Sequence, residues 1–286
     1  MQFYFVTTEH LKSGVWFRDE DDFKAGMNFV AIVADSSGVN VLAFILMSNH
    51  VHFVLECSYA KAEEFINDLK KRYSMYYQRR YGVREFLKGN KYTIQEVRLD
   101  DESAERSIAY TLMNCVAANI CMQCGQYPWG TGNLYFNKTP LKGVPVSRLS
   151  IRKQHNLLHS YHLLSEGYLI GDEDYILPAS FVKVSFVEQV FRTPKRFNYF
   201  LLNSSKAKLR LLTDNNYPSF RDQTIIASIP DLCQSMFHKM SIQQLTQAQK
   251  SELLKQLQRR FSADLGQLAR VTGIPYPEAA ELMENF

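Results

Sequence analysis

Apolar positions in the first part of the chain change period several times, and each change marks an element. "MQFYFVTTEH" alternates and is rich in Phe, Tyr, Val and Thr, which predicts a strand. The acidic run after Arg18 is followed by Phe23, Met27, Phe29, Val30 and Val33 at helical spacing, so a helix starts there. "VNVLAFILMSNHVHFVLE" predicts two strand segments joined near Met47–Asn49. Over residues 61–81, Phe65, Leu69, Tyr73, Tyr76 and Tyr77 recur at three- and four-residue steps, the pattern of an amphipathic helix. "KYTIQEVRL" predicts another strand, and "SAERSIAYTLMNCVAANICMQC" a helix with Ser103 as its N-cap. The order strand, helix, strand, strand, helix, strand, helix predicts an α+β fold of about 130 residues.

The Gly- and Pro-rich stretch "PWGTGNLYFNKTPLKGVP" then predicts a boundary. It divides the chain into an α+β domain over 1–136, a mainly helical extension over 137–245 and a helical tail over 246–286. Within the tail, "FSADLGQLARVTGIPYPEAAELM" has the spacing of a helix-turn-helix. Ser262 would cap the first helix, Leu265, Leu268 and Ala269 would pack inward, Gly273 would turn, and Ile274 would lead into a second helix near Pro275–Pro277. That second helix carries Glu278, Glu281 and Glu284 and no Lys or Arg, so phosphate would repel it. A DNA reader and a protein-contacting tail both fit.

Composition changes the picture less than charge placement does. Hydrophobic residues at 46% and charged residues at 22% suit a soluble domain with a core, and the formal charge is only +4. Residues 61–98, however, hold ten Lys/Arg against five Asp/Glu, and residues 138–220 hold twelve against six. Basic charge concentrated in this way suits a polyanion. Five cysteines, an odd number, do not make a disulfide framework. Neither a signal peptide nor an apolar run of ~18 residues is evident, so a cytoplasmic protein with no membrane partner is expected.

Four groups of residues are candidates for chemistry. His50 and His52 are two apart on a strand, so they share a face while Val51, Phe53 and Leu55 take the other. Two imidazoles on one rigid face can bind a metal. His155, His159 and His162 would share a face if "HNLLHSYH" were helical, although no acid or cysteine completes a site locally. Cys121 and Cys124 form one C-x-x-C pair, with Cys115 upstream and no second pair to make a zinc site. Tyrosine can act as a covalent nucleophile. Periodicity alone does not choose among Tyr73, Tyr76, Tyr77, Tyr81 and Tyr110.

"LMSNHVHFVLE" resembles the histidine–hydrophobic–histidine signature of the single-tyrosine HUH transposases, the IS200-like family. "VWFRDEDDFKAGMNFVAIVA", "AYTLMNCVAANI" and "QYPWGTGNLYF" resemble, in order, further segments of its REP-associated subgroup. The resemblance covers roughly residues 3–136. It implies a ferredoxin-like or RRM-like antiparallel sheet with helices on one face, followed by an α-helical C-terminal region. It further implies that His50, His52 and Asn114 hold a divalent metal, Mg or Mn, and that Tyr110 attacks a DNA phosphate. The product would be a 5′-phosphotyrosine link and a free 3′-hydroxyl. Tyr110 and Asn114 are four apart, on one helical face. Two motif positions depart from the family: Cys115 stands where Pro is usual, and Gly130–Thr131 where Ser–Ser is usual.

The implied partner is single-stranded or hairpin-bearing DNA, met by a monomer or homodimer. Lys70, Lys71, Arg79 and Arg80, on a helix that also carries tyrosines, are the candidate backbone contacts. Two other readings remain: a regulatory DNA-binding protein that keeps the fold without cleaving, and a metalloenzyme using the histidine pair on a small substrate.

Overall fold

The structure is a computed structural model and describes residues 2–11, 14–139, 142–205, 220–261 and 263–284. The predicted order appears as β1 (Phe3–Thr8), α1 (Glu20–Ser37), β2 (Asn40–Met47), β3 (His50–Glu56), α2 (Tyr59–Tyr81), β4 (Tyr92–Val97) and α3 (Ser103–Leu112). The strands form one antiparallel sheet in the order β2-β3-β1-β4, the arrangement of a ferredoxin-like βαββαβ unit. Met47 pairs with His50, so Ser48 and Asn49 form the two-residue turn between β2 and β3.

Local chemistry sets the helix ends. Asp19 caps α1 by accepting from the Asp22 amide, Glu20, Asp21 and Asp22 complement the helix dipole, and Gly38 ends it at φ 65°. Ser58 caps α2 and Gly82, at φ 72°, ends it. β3 is buried on both faces except at Glu56, as its nearly unbroken apolar run requires.

Two expectations need correction. Helices cover both faces of the sheet: Phe53 of β3 meets Phe65 of α2, while His52, facing the other way, meets Tyr110 of α3. The α+β class is as expected, but the histidine face is roofed. The helix expected over 103–124 also stops at Leu112, and a short α4 (Asn114–Ala117) follows. Asn114 Nδ2 donates to the carbonyls of Tyr110 and Thr111, and Thr111 Oγ1 to that of Ser107. Side chains thus compete for the carbonyls that would continue the ladder. Ser103 is the first helical residue rather than the cap. Its hydroxyl oxygen accepts from the Arg98 amide.

The "YPWGT" segment, Tyr127–Thr131, covers the outer edge of β2. Leu46 N donates to Trp129 O, Thr131 N to Phe44 O, and Tyr127 Oη to Leu46 O. An exposed edge is an aggregation template, and this strap closes it. A Cβ at Gly130 would lie 2.8 Å from Phe44 O, so the strap can sit this close only with glycine there.

Helices α5 (Ile151–Leu158), α6 (Val184–Phe191) and α7 (Pro194–Asn203) and a small β5–β6 pair (Val144–Pro145, Leu169–Ile170) follow. After these come α8 (Asp222–Phe237), α9 (Gln247–Phe261), α10 (Leu265–Thr272) and α11 (Tyr276–Glu284). Buried apolar residues form two clusters. One runs from Phe3 to Phe200, so residues on both sides of the composition change at 137 share it; the other runs from Ile225 to Leu282. In the tail, Gly273 turns at φ 71° and Ile274 is buried, as expected. Asp264 caps α10; the expected cap Ser262 lies outside the described residues.

Candidate nuclease site

The site starts at the Ser48–Asn49 turn. Residues after β1 hold it: Leu11 N donates to Asn49 O at 2.9 Å, and Trp16 N to Ser48 O at 2.7 Å. Thr8 Oγ1 accepts from Val51 N at 3.1 Å. Asn49 in turn orients His50. Its Nδ2 donates to Leu11 O, which leaves Oδ1 to accept from His50 Nδ1 at 2.8 Å. That bond selects the tautomer whose Nε2 carries the lone pair, the second-partner arrangement common to metal-binding imidazoles.

His50 and His52 are both buried, and their ring centroids are 4.7 Å apart. His52 stacks on Phe5 and takes Tyr110 edge-on, each at 5.6 Å between centroids. Phe5 also meets Tyr110 edge-on at 5.6 Å. The histidine pair and Tyr110 are thus one contact chain with His52 at its centre. His10 extends it, stacking on His50 at 3.7 Å. Sequence reading missed His10. Its only signal is a position just past the end of β1, the strand beside β3.

Asn114 is buried one helical turn past Tyr110, and its amide nitrogen is committed to the Tyr110 and Thr111 carbonyls. Oδ1 is therefore the atom with which it could serve a cation. Among the described residues no group of three or more His, Cys, Asp or Glu side chains gathers to hold a metal. Two imidazoles and one amide oxygen nevertheless make a chemically reasonable donor set for Mg²⁺ or Mn²⁺, with the His50 tautomer already suited to it.

Two clefts flank the contact chain. Tyr110 lines one of about 520 Å³ with Gln95, Arg106 and the α7 residues Tyr199, Phe200 and Asn203. Arg196 of α7 pairs with Glu102 at 3.1 Å and with buried Glu105 at 3.3 Å, which braces α3 from outside. His50 lines the other cleft, about 450 Å³, with Asn49, Asn119, Trp129 and residues from the C-terminal helices. Helices after residue 190 thus wall both clefts.

The predicted DNA-contacting cations lie on α2, which packs on the Phe53 face, away from Tyr110. Lys70 Nζ donates to Asn90 O, lies 5.4 Å from the Tyr92 ring centroid, and has its pKa lowered by burial. Arg80 Nη1 is 2.7 Å from Asp19 and 2.5 Å from Asp22, and these bonds raise its pKa against the effect of burial. Lys71 and Arg79 are exposed, and Arg79 lines a groove with Lys24 and Lys153.

The other candidate groups do not assemble as expected. α5 ends before His159, which adopts φ 48°, so His155, His159 and His162 share no helical face. His162 Nε2 instead lies 2.7 Å from Asp35. The five cysteines are free thiols. Burial pushes the Cys124 thiol up to about 11, which makes it a poor thiolate.

A buried histidine pair on the central strand of an antiparallel α+β sheet, with a tyrosine packed on it from a crossing helix, is a site suited to phosphoryl chemistry. Residues 5–99 match the family model described as IS200-like transposase. The chain is also similar to a structure titled as a REP-associated tyrosine transposase bound to a REP hairpin. That likeness has 12% identity, covers 46% of this chain and 77% of the other, and has a TM-score of 0.35. No curated protein matches the chain. Among the described residues no helix is long and apolar enough to cross a membrane.

Proposed function

We propose that this protein is a metal-dependent transposase that cleaves and rejoins single-stranded DNA beside hairpins, with Tyr110 as the nucleophile. The observation that carries the reading is the contact of the His52 ring with both His50, at 4.7 Å, and Tyr110, at 5.6 Å. It brings the Tyr110 ring beside the imidazole pair of β3.

In this reading Tyr110 Oη loses its proton and attacks the scissile phosphorus. The P–O3′ bond breaks, the leaving oxygen takes a proton to become a 3′-hydroxyl, and the 5′ side stays on the enzyme as a phosphotyrosine ester. Reversal with another 3′-hydroxyl rejoins the strand. His50, His52 and Asn114 would hold the cation, which supplies polarisation of the phosphate when bound. Asn49 holds the His50 ring, and Phe5 packs against both His52 and Tyr110, so the nucleophile meets the phosphate with little ordering left to be done. Lys71 and Arg79 would contact the hairpin backbone from the opposite side of the sheet.

The test is formation of an SDS-resistant adduct on a labelled hairpin oligonucleotide with a single-stranded flank. Wild type forms it with Mg²⁺ or Mn²⁺ and stops in EDTA; Tyr110→Phe binds the hairpin but forms none. An adduct from Tyr110→Phe would move the nucleophile elsewhere, and metal-independent cleavage would refute the ligand set.

A further inference from the structure

The C-terminal helices are fastened to the turn that carries His50. Asp222, the first residue of α8 and only 4% exposed, accepts from Ser48 Oγ at 2.5 Å across the two hydrophobic clusters. Its carboxylate is held from its own side by Arg270, through Nε at 2.9 Å and Nη2 at 3.2 Å, and by Gln267 Nε2 at 2.9 Å. A second tie runs from Gln223 Nε2 to Phe17 O at 2.8 Å. A two-nitrogen Arg–carboxylate pair is geometrically specific, so these bonds fix the orientation of α8 over the turn.

The cavity enclosed by this docking, about 450 Å³, has His50 and Asn49 on the nuclease side and Arg221 on the other. Such a volume is within the range of small-ligand sites, which begin near 300 Å³. Its lining carries two arginines and two aspartates, Arg221, Arg270, Asp222 and Asp264, and is neutral as a whole. Arg270 pairs with Asp222, and Asp264 accepts from the Gln267 amide as the cap of α10. Arg221, half-buried at the cap position of α8, has no carboxylate within ion-pair distance among the described residues. A half-buried guanidinium with no ion-pair partner among the described residues can accept an anion. Phe220, 45% exposed at the rim, adds an aromatic face.

We propose that this cavity binds a nucleotide flanking the cleaved phosphate, with Arg221 on its backbone phosphate and Phe220 available to stack on a base. The inference rests on the DNA-cleaving reading above. It gives the C-terminal helices a role that the helix-turn-helix pattern does not: they complete the substrate channel instead of reading a major groove.

The test is binding of fluorescent oligothymidylate and of a hairpin with a thymidine flank, by the full-length protein, at several salt concentrations. Arg221→Ala should bind about tenfold more weakly. Its slope of log K against log salt should be shallower by about 0.7, one single-strand phosphate contact. Arg221→Lys should keep the slope. Thermal stability should not move, because Arg221 makes no ion pair among the described residues. Asp222→Asn, which loosens the docking, should also weaken binding. Unchanged affinity and slope in Arg221→Ala overturns the inference while wild-type adduct formation leaves the nuclease reading intact. A rise in binding or adduct yield in Asp222→Asn overturns it too, since the helices would then be obstructing the site. Failure of wild type to form any adduct is the separate outcome that removes the nuclease reading.

Discussion

On one face of the central sheet Phe53 packs between Phe44 and Phe65, and the buried charge nearby is cancelled on the spot. Asp22 there accepts from the Arg18 amide, Tyr76 Oη, Tyr81 Oη and Arg80 Nη1 at 2.5–3.0 Å. On the other face His50, His52 and Tyr110 sit between two clefts, and Arg221 lines the His50 cleft with no ion-pair partner among the described residues. The two faces come from alternate residues of one strand. What separates them is the fate of the buried polar groups: Asp22 is satisfied on the α2 face, while His50 and Tyr110 line clefts on the α3 face. A buried charge that is already paired says nothing about ligands, whereas a charge held at a cavity without a partner does.

The sharpest way to break this contrast uses neighbours on β3. His52→Ala should reduce adduct formation to background while costing less stability than Phe53→Ala. Phe53→Ala should cost about 3–5 kcal/mol by opening a cavity, yet leave adduct yield per folded molecule unchanged. Denaturant melts and the adduct gel measure both. Wild-type adduct yield from His52→Ala would show that the two faces do not divide function from packing.

Much of this was legible from residue spacing. The element order, the turn at Ser48–Asn49 and the shared face of His50 and His52 follow from periods of two and 3.6 residues, which are local. The choice of Tyr110 over the α2 tyrosines was not local. It came from a resemblance, and the structure adds the ring contact with His52. Partnerships across long sequence separations were not legible. Ser48 and Asp222 are 174 residues apart, and nothing in either neighbourhood announces the other. The α2 cations show the same limit. Lys70 and Arg80 look as basic in sequence as Lys71 and Arg79, but their partners Asn90, Asp19 and Asp22 arrive only through folding.

That last distinction gives the next test. Arg80→Ala leaves Asp22 buried without its guanidinium and should cost roughly 2–3 kcal/mol, below the usual range for a broken buried pair because Arg80 is partly exposed. The DNA salt slope should stay unchanged. Arg79→Ala should alter stability by no more than about 0.5 kcal/mol. If it meets the hairpin duplex, it should lower the salt slope by about 0.9. Equal stability losses in the two variants would erase the difference between paired and presented charge on α2. An unchanged slope in Arg79→Ala would leave that surface merely solvated.

A further test lies at the sheet edge, where the two faces share a support. Trp129 stacks on Phe23 of α1 at 4.9 Å and also lines the His50 cleft, and the strap that positions it lies against β2 only because residue 130 is glycine. Gly130→Ala should push the strap off Phe44 O and cost about 1–3 kcal/mol. If Trp129 transmits that shift, thymidine binding should weaken in the same variant while the salt slope stays at its wild-type value, since no phosphate contact is lost. A stability loss with untouched binding would confine the strap to covering the edge of β2.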